Sequence, residues 1–105
     1  MAQGEVIQLL KKYIEILRAE GISVSKAFLY GSYGDNSATE ESDIDVLLVS
    51  DGFDESDDRL VGKVWRLTSK INSKIEPVLV GTTSYEDSEN SPLITKVKET
   101  GIQIA

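Results

Sequence analysis

Residues 31–45 read Gly-Ser-Tyr-Gly-Asp-Asn-Ser-Ala-Thr-Glu-Glu-Ser-Asp-Ile-Asp. Within them, Gly31-Ser32 is followed after ten residues by Asp43-x-Asp45. At average residue frequencies, those four residues at that spacing arise by accident about once in 10⁵ positions. Side chains alternate along a strand, so Asp43 and Asp45 would share one face about 7 Å apart, close enough to hold one divalent cation or bridge two. Gly31 permits close backbone approach, and Ser32 offers a hydroxyl and an N–H at the start of a turn. If the residues after Ser32 form a helical turn, its free N–H groups suit an anion. A phosphate cradle beside a metal site points to chemistry on a nucleoside triphosphate. Glu76 is the candidate third carboxylate. It opens a further expected strand, and strands pair about 4.8 Å apart. Three clustered carboxylates repel each other unless a divalent cation sits among them.

The composition narrows the chemistry further. The 105 residues include no cysteine and no histidine, which removes disulfides, thiolate metal sites and every imidazole base or triad. Catalysis falls to carboxylates, hydroxyls, lysine, tyrosine or a bound metal. The net charge of −7 is local, since ten acidic residues and no Lys or Arg lie between Asp35 and Asp58. The remainder holds eleven basic and eight acidic residues. That distribution disfavours a stable nucleic-acid partner and suits recruitment of Mg²⁺. Glu40, Glu41, Asp51, Asp54, Glu55, Asp57 and Asp58 read as solvated surface charges. No apolar run approaches the ~20 residues of a membrane span, and no secretory signal is visible. A cytoplasmic protein with no membrane association is expected.

The elements that must position these residues are legible from periodicity. Val6, Leu9, Leu10, Tyr13, Ile14 and Leu17 recur at helical spacing and predict a helix over residues 3–20, stopped at Gly21. Val24 to Tyr30 reads as a strand ended by Gly31-Ser32. Residues 43–50 alternate and then run Val46-Leu47-Leu48-Val49, the pattern of a strand buried on both faces. An acidic turn follows from Asp51-Gly52. Leu60, Val64, Leu67 and Ile71 mark a second helix, with Trp65 beside the stripe, assigned to core or interface. Ile75 to Val80 is a third strand, and Pro77 favours an edge position or the start of the strand. Residues 81–90 form a polar loop with a short helical turn. Ser91-Pro92 caps a last helix ending at Gly101, before a short strand at 102–104. The expectation is one α/β (α+β) domain over residues 1–105, with helices packed on a small mixed sheet.

Gly31-Ser32, Asp43-Ile44-Asp45 and Glu76 together resemble the minimal nucleotidyltransferases of the polymerase-β superfamily. The closest resemblance is to the prokaryotic group encoded beside a HEPN-domain protein. Ile75-Glu76-Pro77-Val78-Leu79-Val80, Ser91-Pro92-Leu93-Ile94 and Gly101-Ile102-Gln103-Ile104 extend the similarity, which runs from about Lys26 onward. The resemblance implies a polymerase-β-like nucleotidyltransferase fold. It also implies Mg²⁺-dependent transfer of a nucleotidyl group from ATP or another NTP to an acceptor hydroxyl, with two metals in the site. Asp43, Asp45 and Glu76 would be the catalytic metal ligands, and Gly31, Ser32 and Tyr33 would bind the nucleotide. Several relatives look like antitoxins that attach AMP to a tyrosine of a HEPN-domain toxin. A HEPN-domain partner and a homodimer are the expected assemblies.

One departure stands out. The family often carries a basic residue and a second glycine shortly after Gly-Ser, and here those places hold Asp35 and Asn36. Lys26, Arg59, Lys63 and Lys74 are the candidates to compensate. The departure motivates a second reading, a non-catalytic subunit that acts by complex formation, and a third, a small metal-binding domain without nucleotide. Tyr30 reads as the end of a buried strand, and Tyr85 as a loop residue without assignment.

Overall fold

The computed structural model describes residues 1–55 and 57–105. Ser56, inside the expected acidic turn, lies outside them. The chain runs α1 (Gln3–Ala19), β1 (Lys26–Tyr30), α2 (Gly31–Gly34), β2 (Ile44–Ser50), α3 (Asp58–Leu67), β3 (Ile75–Gly81), α4 (Thr82–Glu86), α5 (Pro92–Thr100) and β4 (Ile102–Gln103). Short 3₁₀ turns follow β2, α3 and α4. The four strands form one mixed sheet in the order β3-β2-β1-β4. β1 is antiparallel to β2 and β4, whereas β2 and β3 run parallel. The parallel pair requires a crossover, which α3 provides. The architecture is the expected α/β one. Among the described residues, no helix is long and apolar enough to cross a membrane.

Strand alternation divides the core into two layers. Ala27 and Leu29 of β1, Ile44, Val46 and Leu48 of β2, and Ile75 of β3 face α1 and α3 in the larger cluster. Phe28, Leu47, Val49 and Val80 face the other way, against Ile94 and Val97 of α5. The uninterrupted apolar run of β2 is thereby explained: as a central strand it is covered on both sides, and Val46 to Leu48 are fully buried. α1 presents Val6, Leu10, Tyr13, Ile14 and Leu17 to the sheet. It ends where Gly21 takes a φ of 83°, the left-handed conformation glycine adopts without penalty. The N-terminus of α5 is fixed as its sequence implies, with the Ser91 hydroxyl accepting from the Ile94 N–H at 3.2 Å and Pro92 in the first turn.

Of the two places offered for Trp65, core and interface, the core is ruled out, since Trp65 is 44% exposed. The buried stripe of α3 runs through Val64 and Leu67, and one residue along a helix rotates the side chain by about 100° onto the open face. Pro77 lies in the edge strand as expected, yet its ring is buried. The α1–α3 contact is pinned by Tyr13, whose hydroxyl donates to the Val64 carbonyl at 2.7 Å. Burial pushes that phenol well above its usual range, so it remains a donor at any physiological pH. Tyr13→Phe is expected to cost about 1 kcal/mol, read as a lower denaturant midpoint with an unchanged slope.

Candidate active site

The sheet register builds the site. In the aligned strands, Tyr30 of β1 pairs with Asp45 of β2, and Asp45 pairs with Glu76 of β3. Residues directly opposite on adjacent strands share a face. The row Tyr30–Asp45–Glu76 therefore crosses three strands on the α5 side of the sheet. The next row inward on that face is Phe28–Leu47–Val78, so an apolar floor gives way to carboxylates at the end of the sheet where α2 begins. Asp43 lies just before β2 rather than in it and is exposed, as is Glu76; Asp45 is half-buried. The sheet is held closed at this end by the Ile44 N–H donating to the Lys74 carbonyl at 2.8 Å. Lys74 in turn donates its ammonium to the Glu40 carbonyl, tethering the acidic loop to the start of β3.

The three predicted carboxylates influence one another. Burial raises the Asp45 carboxyl above the usual range, and the Asp43 charge adds to the rise. Glu76 is raised by partial desolvation, then by the charges of Asp43 and Asp45, and by a side-chain hydrogen bond with Asp43. Tyr30 is raised chiefly by burial, with Asp45 and Glu76 contributing. Every one of these shifts has the sign of unneutralised negative charge in a partly desolvated place. Among the described residues, no group of three or more acidic side chains is already closed around one point. The donor set nevertheless fits a hard divalent cation: it consists of carboxylate oxygens, two of the three carriers are exposed and able to change rotamer, and a cation would relieve the repulsion.

Gly31 couples this acidic row to the adjacent turn. Its φ is 70°, and a Cβ built on it would lie 2.3 Å from an Asp45 carboxylate oxygen. Only glycine satisfies both the left-handed backbone and the approach to Asp45. The single turn of α2 then runs Gly31–Gly34, the helical turn anticipated after Ser32. The Ser32 side chain is half-buried. Tyr33 occupies a different place from the pocket wall expected of it: its ring is 2% exposed and packs in the large core, while its carbonyl accepts from the Gln3 amide at 2.8 Å. Tyr33 thus anchors the turn to α1 from below. Asn36, in the place where the family often has glycine, has a φ of 61°, and asparagine is among the few other residues that tolerate that conformation.

Asp35 is held by its neighbour. Its carboxylate accepts from the Ser37 N–H at 3.1 Å and from the Ser37 hydroxyl, an Asx turn that keeps the carboxyl below the usual range, with a contribution from Lys96. The cations proposed from sequence lie elsewhere. Lys63 of α3 reaches the Glu20 carbonyl at 3.0 Å and its carboxylate at 3.9 Å, and Arg59 shares that helix on the opposite layer. Lys26 sits 5.2 Å from the Tyr85 ring centroid, and Lys74 is spent on Glu40. The cation that does line the cleft is Lys96 of α5. That cleft measures about 250 Å³ and is lined by Tyr30, Gly31, Gly34 and Asp35 on one side and by Leu93, Lys96, Val97 and Thr100 of α5 on the other. Sequence reasoning missed Lys96, and its only signal is position: it lies one residue before Val97, on a helix whose Ile94 and Val97 face the sheet.

The nucleotidyltransferase domain family model matches residues 10–100, nearly the whole chain. The chain belongs to the nucleotidyltransferase domain family. Its fold is similar to that of a crystallised protein from Sulfolobus solfataricus described as a candidate nucleotidyltransferase, with a TM-score of 0.63 at 18% identity, covering 81% of this chain and 75% of that one. No curated protein matches the sequence. At that identity the structural likeness concerns the fold, while the family assignment rests on the sequence match.

Two measurements follow from this geometry. Gly31→Ala is expected to destabilise the protein by more than about 1 kcal/mol, because the methyl collides with Asp45 in a backbone region alanine avoids; chemical denaturation reads it directly. The second concerns pH. Asp45 and Glu76 keep their protons to higher pH folded than unfolded, so their contribution to stability is full below the ordinary carboxylate range and is lost as pH rises through their raised values. Asp45→Asn should therefore gain on the wild type in melting temperature as pH rises from about 4 to about 7 without divalent metal, and Mg²⁺ should reverse the order. Parallel thermal melts with and without Mg²⁺ measure both.

Proposed function

We propose that this protein is a Mg²⁺-dependent nucleotidyltransferase that moves a nucleotidyl group, AMP from ATP, onto an acceptor hydroxyl. The observation that carries the reading is the register of Asp45 between Tyr30 and Glu76, directly beneath Gly31. It brings Asp45 against Gly31 and in register with Glu76, with Asp43 two residues before Asp45, in a chain of the nucleotidyltransferase domain family. Asp43, Asp45 and Glu76 would hold Mg²⁺, two ions when the triphosphate is in place, and Gly31 and Ser32 would receive the β- and γ-phosphates. The cation's part is to offset charge on the phosphates and to lower the pKa of the attacking hydroxyl. The chain's own residues do the rest. Glu76, exposed at the open end of the sheet, would accept the proton of the acceptor hydroxyl. The acceptor oxygen bonds to the α-phosphorus, the bond to the α,β-bridging oxygen breaks with its electron pair, and pyrophosphate leaves.

A tyrosine of a HEPN-domain partner is the acceptor favoured by the sequence resemblance, which makes the protein an antitoxin that modifies its toxin. The carboxylate end of the sheet is open, with Asp43 and Glu76 exposed, so a macromolecular acceptor can reach it. The edge strand β3, which begins with Ile75 and Glu76, offers a border along which such a partner, or a second copy in a homodimer, could dock. Asp35, standing where a basic residue is usual, favours the alternative of a non-catalytic subunit that neutralises its partner by occupancy. The two readings separate in one assay. Asp43→Ala and Asp45→Ala are each expected to reduce Mg²⁺-dependent pyrophosphate release at least about 10²-fold while leaving the partner complex intact. Full activity in both variants would remove the metal assignment, and neutralisation by an inactive variant would establish occupancy.

A further inference from the structure

The cleft between α2 and α5 contains a positive charge for which the Gly-Ser motif itself provides none. Its walls are Gly31, Gly34 and Asp35 from the turn on one side and Lys96 and Val97 from α5 on the other, with Tyr30 between them. No Lys or Arg lies from Ala27 to Asp58, and Lys26, Lys63 and Lys74 are engaged elsewhere while Arg59 lies on the far layer. Lys96 is exposed and acts on the Asp35 carboxyl across the cleft. Its helix is fixed rather than floating: Val97 and Ile94 are buried against Phe28 and Leu47, the Thr100 hydroxyl donates to the Lys96 carbonyl at 2.8 Å, and the Gly101 N–H donates to the Val97 carbonyl at 2.8 Å.

We propose that Lys96 is the phosphate-binding cation of this site, supplied from α5 across the cleft in place of the basic residue absent from the turn, and that the polyphosphate tail of the nucleotide lies between Lys96 and Gly31–Ser32. This rests on the nucleotidyltransferase reading and names the residue that completes its phosphate half. The geometry has three supporting parts. Lys96 faces the same cleft as Gly31 and Gly34, where a tail held by the turn must pass. Asp35 cannot follow Lys96 when the ammonium turns to a phosphate, because Ser37 holds its carboxylate through both N–H and hydroxyl. The apolar sides of Val97 and Leu93 line the cleft next to the ammonium, and lowered local polarity strengthens a charge pair there. Lysine serves as a point charge on a flexible stem, so it can reach a phosphate without the fixed fork geometry an arginine would need.

The test reads binding of Mg²⁺–tripolyphosphate and Mg²⁺–ATP by calorimetry, alongside pyrophosphate release by the wild type. Lys96→Ala is expected to weaken both ligands about tenfold or more and to leave AMP binding unchanged. Lys12→Ala, which removes a charge from the exposed face of α1, should change none of the three. Asp35→Arg placed in the Lys96→Ala background should restore tripolyphosphate affinity, since it returns a cation to the opposite wall of the same cleft. Thermal melts of each variant confirm that it is folded. Wild-type affinity in Lys96→Ala, or an equal loss for AMP and ATP, overturns the proposal even when the wild type releases pyrophosphate. Loss of tripolyphosphate binding in Lys96→Ala, with no pyrophosphate release by the wild type supplied with its acceptor partner, sustains Lys96 as the phosphate cation and removes the transferase reading. A wild type that binds neither ligand overturns both.

Discussion

The register of β2 is the constraint on which the rest of the site depends. Because side chains alternate, a slip of one residue against β1 or β3 would carry Asp45 into the large core and bring Ile44 or Val46 to the open face. That slip is prevented by burial on both sides of the strand. Ile44, Val46 and Leu48 are committed to the α1–α3 layer, and Leu47 and Val49 to the α5 layer. Each fully buried side chain of this kind is worth about 1.5–3 kcal/mol. Five of them acting in one direction fix the sixth position, Asp45, at a place where its own preferences would not put it. The raised carboxyl of Asp45 records that conflict: hydrophobic burial dictates the position, and electrostatics bears the consequence until a cation arrives.

Gly31 transmits the same constraint to the turn. β1 ends at Tyr30, opposite Asp45, and the chain must turn at once to clear the carboxylate. A left-handed residue without a Cβ achieves this, and the following turn is tied down by Tyr33 in the core and by Gln3 of α1. The turn and Asp45 are therefore one rigid unit, built on the most buried strand of the sheet. Rigid placement of polar groups where charge develops is the arrangement expected of phosphoryl-group chemistry.

Much of this was legible in the sequence, for reasons that differ from element to element. β2 could be read because its burial is two-sided and leaves a continuous apolar run. α1 could be read because its stripe persists over several turns, and α5 because Ser91 and Pro92 are a local start signal. The approach of Glu76 to Asp43 and Asp45 was legible only on condition that β3 lay beside β2, and the fold supplies that pairing and its register. Tyr33 was misplaced because one position of rotation decides between core and solvent, and the four residues of α2 carry no periodicity from which to fix that rotation. Asn36 was read as a missing glycine, whereas its backbone shows that the conformation is retained and only the side chain has changed.

Lys96 was invisible for a stronger reason: its distance from the motif in sequence is bridged only by the tertiary fold. A residue contributes to a phosphate site by its charge and place, not by its neighbours in the chain, so a function lost from one wall of a cleft can be carried by the other. Family motifs describe the wall that is contiguous in sequence. The opposite wall here is an amphipathic helix whose inward face is set by Ile94 and Val97, and any residue at its flank, bordering the cleft, can carry the charge with little effect on packing. Exchange of the basic residue between walls is thus inexpensive to the fold, provided that the carboxylate left on the first wall is held down. Ser37 does that for Asp35. Asp35 on the turn and Lys96 on α5 thus stand on the two walls of one cleft, and under the proposed reading it is Lys96, with the divalent cation, that would offset the negative charge of the motif segment toward a polyphosphate.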